Sequence, residues 1–267
     1  MPFTVSHVAA VLPGHRLLAR AQVFSAAVIG SMVPDFGLLL PEKLARWQTH
    51  SIPALLHFCL PVGLAAYVLM LLLIKPAVLQ IVPDGPYLRL RDADFTALLR
   101  TARGWLYVAL AILLGAVTHL IWDGFTHENA RGVLMFPVLD DYGPQVDGHT
   151  LQFYAWLQYA SSVLGLMAVI GALLLWLRHA PTPARRPPRC LQDSERRAWT
   201  GLYILLPLLA MAGAMWLIRS PPLALLPVGR RLGIVAIAGL RGSAVSLLLV
   251  SVLLRVRLRF VRQVPRS

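Results

Sequence analysis

The chain has 267 residues, 57% of them hydrophobic and 14% charged, with a formal net charge of +13 and a mean hydropathy of +0.66. Soluble domains carry about a quarter charged residues, so this composition excludes one and indicates a multi-span α-helical membrane protein. The arginines cluster between apolar runs and not among aromatics, which sets nucleic acid aside and makes the lipid bilayer the expected partner.

Residues 3–12 are expected to form a short interfacial helix before Pro13-Gly14. They lack the basic start and small-residue cleavage site of a secretory signal. The run at about 21–41 holds Pro34 and Asp35. Proline interrupts the helical ladder, so this first segment is predicted to be broken or re-entrant. Five longer apolar runs follow, at about 52–74, 105–125, 157–177, 202–218 and 232–254. Each approaches the roughly 20 residues that cross a hydrocarbon core as helix. Lipid offers no partner to a free backbone group, so each is predicted to be helical. The expected architecture is an all-α, polytopic transmembrane helix bundle of five to six spans. It divides into a membrane domain over 1–178, a Pro/Arg-rich cytoplasmic linker over 179–200, and a C-terminal two-helix extension with a basic tail over 201–267. Cys59 and Cys190 suggest no disulfide framework.

Six crossings would put Arg16, Arg20 and the basic residues of 75–104, 178–201 and 255–267 on one side, eighteen Lys and Arg against six on the other. Positive loops stay in the cytoplasm, so both termini are expected there, in a bacterial cytoplasmic membrane. Arg241 lies within the last run, where it either packs against a polar partner or faces a substrate.

Ionisable groups in or beside spans are costly and usually functional. Six of the eight histidines fall before residue 128: His7, His15, His50, His57, His119 and His127. His119 and Asp123 are four apart on a predicted helix, so both side chains share one face. His127 continues that face if the helix runs on past Gly124. By the topology, His119 and Asp123 end one span, His50 and His57 begin another, and Asp35 lies toward the outer part of the broken segment. Three segments thus bring His and Asp to one depth on one side. That pattern suits a divalent metal, zinc first, with manganese or iron as alternatives. His50 and His57 would be roughly 10 Å apart on a continuous helix, too far to share one ion. Asp35 or His127 is the candidate general base, and His50, His119, Asp123, Asp35, His7 and His57 are the candidate ligands. A metal there would lower the pKa of bound water and polarise a phosphoryl or carbonyl oxygen. The alternatives are a proton or cation pathway in a transporter, or a purely structural cluster. The loop 126–156, with Glu128, Asp140, Asp141, Tyr142, Asp147 and Trp156, is either a lid or an interfacial belt.

The stretches MPFTVSHVAAVLP, GSMVPDF, Thr49-His50-Ser51 and HLIWDGFTH resemble the uncharacterised bacterial membrane family known as domain of unknown function 4184, over roughly residues 1–180. Their order is also similar to the predicted membrane-bound metal-dependent hydrolases. That resemblance implies roles for His7, Asp35, Arg46, Thr49, His50, Ser51, His119, Asp123 and Thr126, and a phosphoester or lipid-headgroup substrate. Gly37, Leu38 and Ala45 stand where the broader group has an Asp and two His, leaving His57 or His127 to complete its ligand set. The resemblance wants His7 in the cluster, whereas the six-crossing count starts it on the cytoplasmic side.

Overall fold

A computed structural model describes residues 3–40, 44–92, 97–146, 149–180 and 190–263. Among the described residues, five helices are long and apolar enough to cross a membrane. We refer to Phe24–Met32 as α1, Leu55–Ile81 as α2, Ala102–Thr126 as α3, Phe153–Arg178 as α4, Asp193–Leu217 as α5 and Val228–Gln263 as α6. The chain is an all-α polytopic bundle.

Its first segments, Thr4–Gly14 and Phe24–Leu39, are shorter than those five helices. Thr4–Gly14 is a 3-10 helix, α1 runs back alongside it, and Val33–Leu39 continues α1 as a second 3-10 helix with Pro34 in its first turn. The open end of this hairpin is closed by Thr4 Oγ1 donating to Asp35 Oδ2 at 2.7 Å. At its turn, Leu18 joins the same apolar cluster as Leu98 and Leu99, just before α3. The re-entrant expectation for 21–41 therefore describes the segment, with Thr4–Gly14 as its partner. The interfacial expectation for 3–12 is corrected: Thr4, Ser6, His7, Val8 and Val11 are buried inside the bundle. Thr4 lies beside Asp35, whereas Leu254 and Leu258 of α6 pack with Ala77 late in α2, so they lie toward opposite ends of the bundle.

Backbone contact holds the hairpin to α3. A Cβ on Gly30 would lie 2.1 Å from Ile112 O, and one on Gly115 would lie 2.2 Å from Ala27 O. Small residues permit such an approach between membrane helices, so Gly30-Ser31 serves close packing. The core beneath comprises Val8, Val11, Ala26, Ala27, Tyr67 and Ile112, with Val33, Cys59 and Ala116 above it. In α2, π-helical turns at Leu55–Cys59 and Met70–Ile74 stand just ahead of Pro61 and Pro76. Each proline removes a backbone donor, and the ladder shifts register there.

The helices α5 and α6 form an antiparallel pair, tied by Tyr203 OH to Ser251 Oγ at 2.8 Å. The helix α5 starts at Asp193, so 193–200 is helical, while 181–189 of the expected linker lies outside the described residues. A capping box at Gln192 and Glu195 opens it. The pair joins the main body at both ends. Leu191, Leu254 and Leu258 pack with Ala77, and Arg241 donates to Leu38 O at 2.7 Å and Leu40 O at 2.9 Å. Arg241 is thus a packing residue that caps the segment carrying Asp35. Arg241→Ala removes two charge-assisted bonds and is expected to cost about 1–2 kcal/mol, read as a lower thermal midpoint in detergent, with Arg241→Lys recovering part of it.

Candidate metal centre

Four elements deliver the polar residues to one place. The Thr4–Gly14 helix brings His7, the turn after α1 brings Asp35, the short helix Arg46–Thr49 brings Arg46 and, at its C-terminus, His50, and α3 brings His119 and Asp123. His7, Asp35, His119 and Asp123 are each at most 4% exposed, and His50 has a 6% exposed side chain. Five of the expected ligands therefore converge.

Distances between their ligand atoms fall in a narrow band. His50 Nε2 lies 3.3 Å from Asp35 Oδ1 and 3.6 Å from Asp123 Oδ2. His119 Nε2 lies 3.8 Å from Asp35 Oδ1 and 3.6 Å from Asp123 Oδ2. His7 Nε2 lies 3.6 Å from Asp123 Oδ1. Charge-assisted hydrogen bonds would be about 2.7–2.9 Å. The edge of a tetrahedron of ligands around an ion, with bonds of about 2.1 Å, is about 3.4 Å.

The other atom of each group is already used. His119 Nδ1 donates to Ser31 O at 2.8 Å, which turns Nε2 toward the two carboxylates. His50 Nδ1 is engaged by Thr49 Oγ1 at 2.7 Å, and Asp35 Oδ2 by Thr4. A hydrogen bond on the far ring nitrogen is what orients metal-binding histidines. His7 lies flat on His119, with ring centroids 3.6 Å apart and planes inclined by 14°. His7 Nε2, His50 Nε2, His119 Nε2, Asp35 Oδ1 and Asp123 Oδ1 are all buried without a hydrogen-bond partner. Lone pairs gathered without donors are costly in a low-dielectric interior. The set fits a cation. Among the described residues, two triads satisfy the spacing, His7 with His119 and Asp123, and Asp35 with His50 and His119. Both need the single free nitrogen of His119, so they describe one centre and not two.

Arg46 supplies a positive charge at the rim. Its Nη2 donates to Asp123 Oδ2 at 2.9 Å, and its side chain is 45% exposed. His127 stands beside the cluster and outside the triads. The helix α3 reaches Thr126 and stops, so His127 is extended. Its Nδ1 donates to Asp123 O at 3.1 Å, and its Nε2 is buried without a partner. Burial pushes its imidazole down to about 4, against the pull of Asp123, so it is neutral at pH 7.

His57 does not belong. It is exposed on α2, because the chain turns through Ser51–Pro53 before the helix begins, and the seven-residue spacing from His50 is not a helical one. Gly37 packs against Thr49: a Cβ there would lie 3.0 Å from Thr49 Cγ2. Sequence reasoning missed Thr4 and Ser31 as the groups that orient Asp35 and His119. It placed Arg46 only through the resemblance. Beyond the site, β1 (Tyr142–Val146) pairs antiparallel with β2 (His149–Gln152) in the loop before α4, and Asp147 lies outside the described residues.

The bundle and its buried His/Asp cluster define a multi-pass membrane protein with an internal polar centre. The chain belongs to the family described as "Domain of unknown function (DUF4184)", which it matches over residues 1–252. The match takes in α5 and about two thirds of α6, so the C-terminal pair is part of the family's body and extends the expected 1–180. No curated protein and no solved structure matches the chain.

Proposed function

We propose that the protein is a metal-dependent hydrolase of the bacterial cytoplasmic membrane that acts on a phosphoester or lipid headgroup. The observation that carries this reading is the set of buried, partnerless ligand atoms 3.3–3.8 Å apart. His50, His119, Asp123, Asp35 and His7 would hold the ion, with zinc favoured by imidazole and carboxylate ligands and manganese or iron as alternatives. Such an ion lowers the pKa of water and polarises a phosphoryl oxygen. His127, neutral with a free Nε2, is placed to take a proton, as is Asp35. Arg46 leaves part of its guanidinium open to an anion.

The site sits at the Arg-poor end of the bundle. The turn of the N-terminal hairpin, with Arg16 and Arg20, stays with the Arg-rich loops, so the charge bias is unchanged by the loss of one crossing. With those loops cytoplasmic, the centre faces outward and Thr4 lies outside. The expectation of two cytoplasmic termini is replaced on this reading by one on each side. A transport pathway would need polar groups continuing beneath the centre, where Val33, Cys59, Ala116 and the main core are packed.

Elemental analysis of purified protein tests the proposal. About one transition-metal ion per chain is expected, falling to background in His119→Ala. His57→Ala should keep the full complement. Metal-free wild type with an unaltered His119→Ala variant would remove the hydrolase reading. Proton flux in liposomes without turnover would support the transporter.

A further inference from the structure

A cavity of about 390 Å3 lies between the Thr4–Gly14 helix, α3 and α4. Its volume is within the roughly 300–1,000 Å3 typical of ligand sites. We propose that it is the hydrocarbon-chain subsite of the same centre, so that the substrate is a membrane amphiphile with an anionic headgroup, its chain lying in this groove. The proposal rests on the hydrolase reading for what happens at the headgroup, and on the groove alone for where the chain binds.

The walls are apolar and short. Ala10, Ala160 and Ala168 leave space that larger side chains would fill, and Trp122 and Leu164 flank it. The helices touch tightly at the level of Gly165. A Cβ on Gly165 would lie 2.8 Å from Ser6 O, and Ser6 Oγ donates to Ser162 O at 2.7 Å. That contact fixes the helix pair while the alanines beside it keep the groove open.

Lipid is the occupant the surroundings favour. No residue in the apolar window of α4 is buried, and Val163, Leu164 and Met167 are each at least 60% exposed. In a bilayer such a face meets acyl chains, so the groove is filled from the side by hydrocarbon and not from the aqueous end. Water would find few polar partners along these walls.

The groove also communicates with the polar centre. His7 belongs to both: it lines the cavity, and its Nε2 is 3.6 Å from Asp123 Oδ1. The other oxygen of that carboxylate meets Arg46. One carboxylate therefore separates the groove wall from the guanidinium, and a headgroup attached to a chain in the groove reaches both. The charges agree. Asp35 and Asp123 balance a divalent ion, which leaves Arg46 as a net positive charge for a phosphate to offset.

The test uses full-length protein in nanodiscs of phosphatidylglycerol doped with a phosphatidylglycerol that carries a diazirine on its acyl chain. After photolysis, labelled peptides are mapped by mass spectrometry. Labelling concentrated on 6–10 and 157–168 is expected, with roughly tenfold less in Ala168→Phe or Leu164→Trp. Labelling spread evenly over the lipid-facing helices, or unchanged by both substitutions, overturns the proposal. Metal content is measured on the same variants, and turnover of a short-chain, water-soluble phosphodiester is read on wild type. Metal content should equal wild type in both variants, since α4 supplies none of the ligand triads. Absence of metal and of any turnover, with the groove still labelled, would remove the hydrolase reading while leaving the lipid site standing.

Discussion

A single methyl group at position 115 is expected to unfold the centre, whereas the same methyl at position 171 is expected to be harmless. Both residues are glycines within apolar spans, and hydropathy does not distinguish them. A Cβ at 115 would lie 2.2 Å from Ala27 O, 2.5 Å from Ser31 N and 2.8 Å from Gly30 C, whereas one at 171 meets nothing within 4 Å. The atoms struck at 115 are backbone and cannot rotate away, so α1 must move bodily from α3. That movement takes Ser31 O from His119 and carries Asp35 with it. Overpacking of side chains costs about 1–3 kcal/mol, and a backbone clash belongs at or above the upper end. A fall of roughly 6–12 °C in thermal midpoint is expected for Gly115→Ala, together with loss of whatever the centre binds. Gly171→Ala should hold its midpoint or raise it slightly, because alanine favours helix by about 0.5–1 kcal/mol. Equal midpoints for the two variants would contradict the backbone packing of α1 on α3.

The contrast shows where sequence reading runs out. Long apolar runs reveal the five spans because each must bury its backbone alone. The hairpin of Thr4–Gly14 with α1 has no such signature. Neither arm is long enough to cross, and their pairing depends on contacts at Gly30, Gly115 and Thr4 that are remote in sequence. That hairpin reconciles His7 with the charge count: its turn keeps Arg16 and Arg20 with the basic loops, and its open end returns His7 to Asp123. The i,i+4 pair His119 and Asp123 was legible because both sit on one helix. His57 shares the outer start of its apolar run with His50, and nothing in the sequence shows that the turn at Ser51–Pro53 leaves it on the exposed face of α2. Arg46 and Thr4 carry no spacing rule, and only the folded contacts reveal them. The first turns of α5 were read as linker because they are polar, although Gln192 and Glu195 held a capping signal.

Asp123 gives the sharpest separation between a metal centre and a structural network. Its carboxylate lies within 3.6 Å of His7, His50, His119 and His127 and 2.9 Å from Arg46. Two explanations fit so crowded a group. Protonated imidazoles could hold the two carboxylates by ion pairs, or a bound cation could hold all of them as ligands. Chelation distinguishes these. A metal present at 100–1,000 times its Kd stabilises the fold by about 3–4 kcal/mol, so treating wild type with EDTA should lower its thermal midpoint by roughly 6–16 °C. Asp123→Asn keeps the shape and removes the charge. On the metal reading it behaves like chelated wild type and is insensitive to EDTA. It should also be no less stable than chelated wild type, since one of two buried carboxylates is gone. On the structural reading EDTA leaves wild type unchanged, and Asp123→Asn strands the imidazolium groups and Arg46 at a cost of about 3–5 kcal/mol. The two readings therefore predict opposite orders for chelated wild type and the untreated variant, and the comparison does not depend on knowing the substrate.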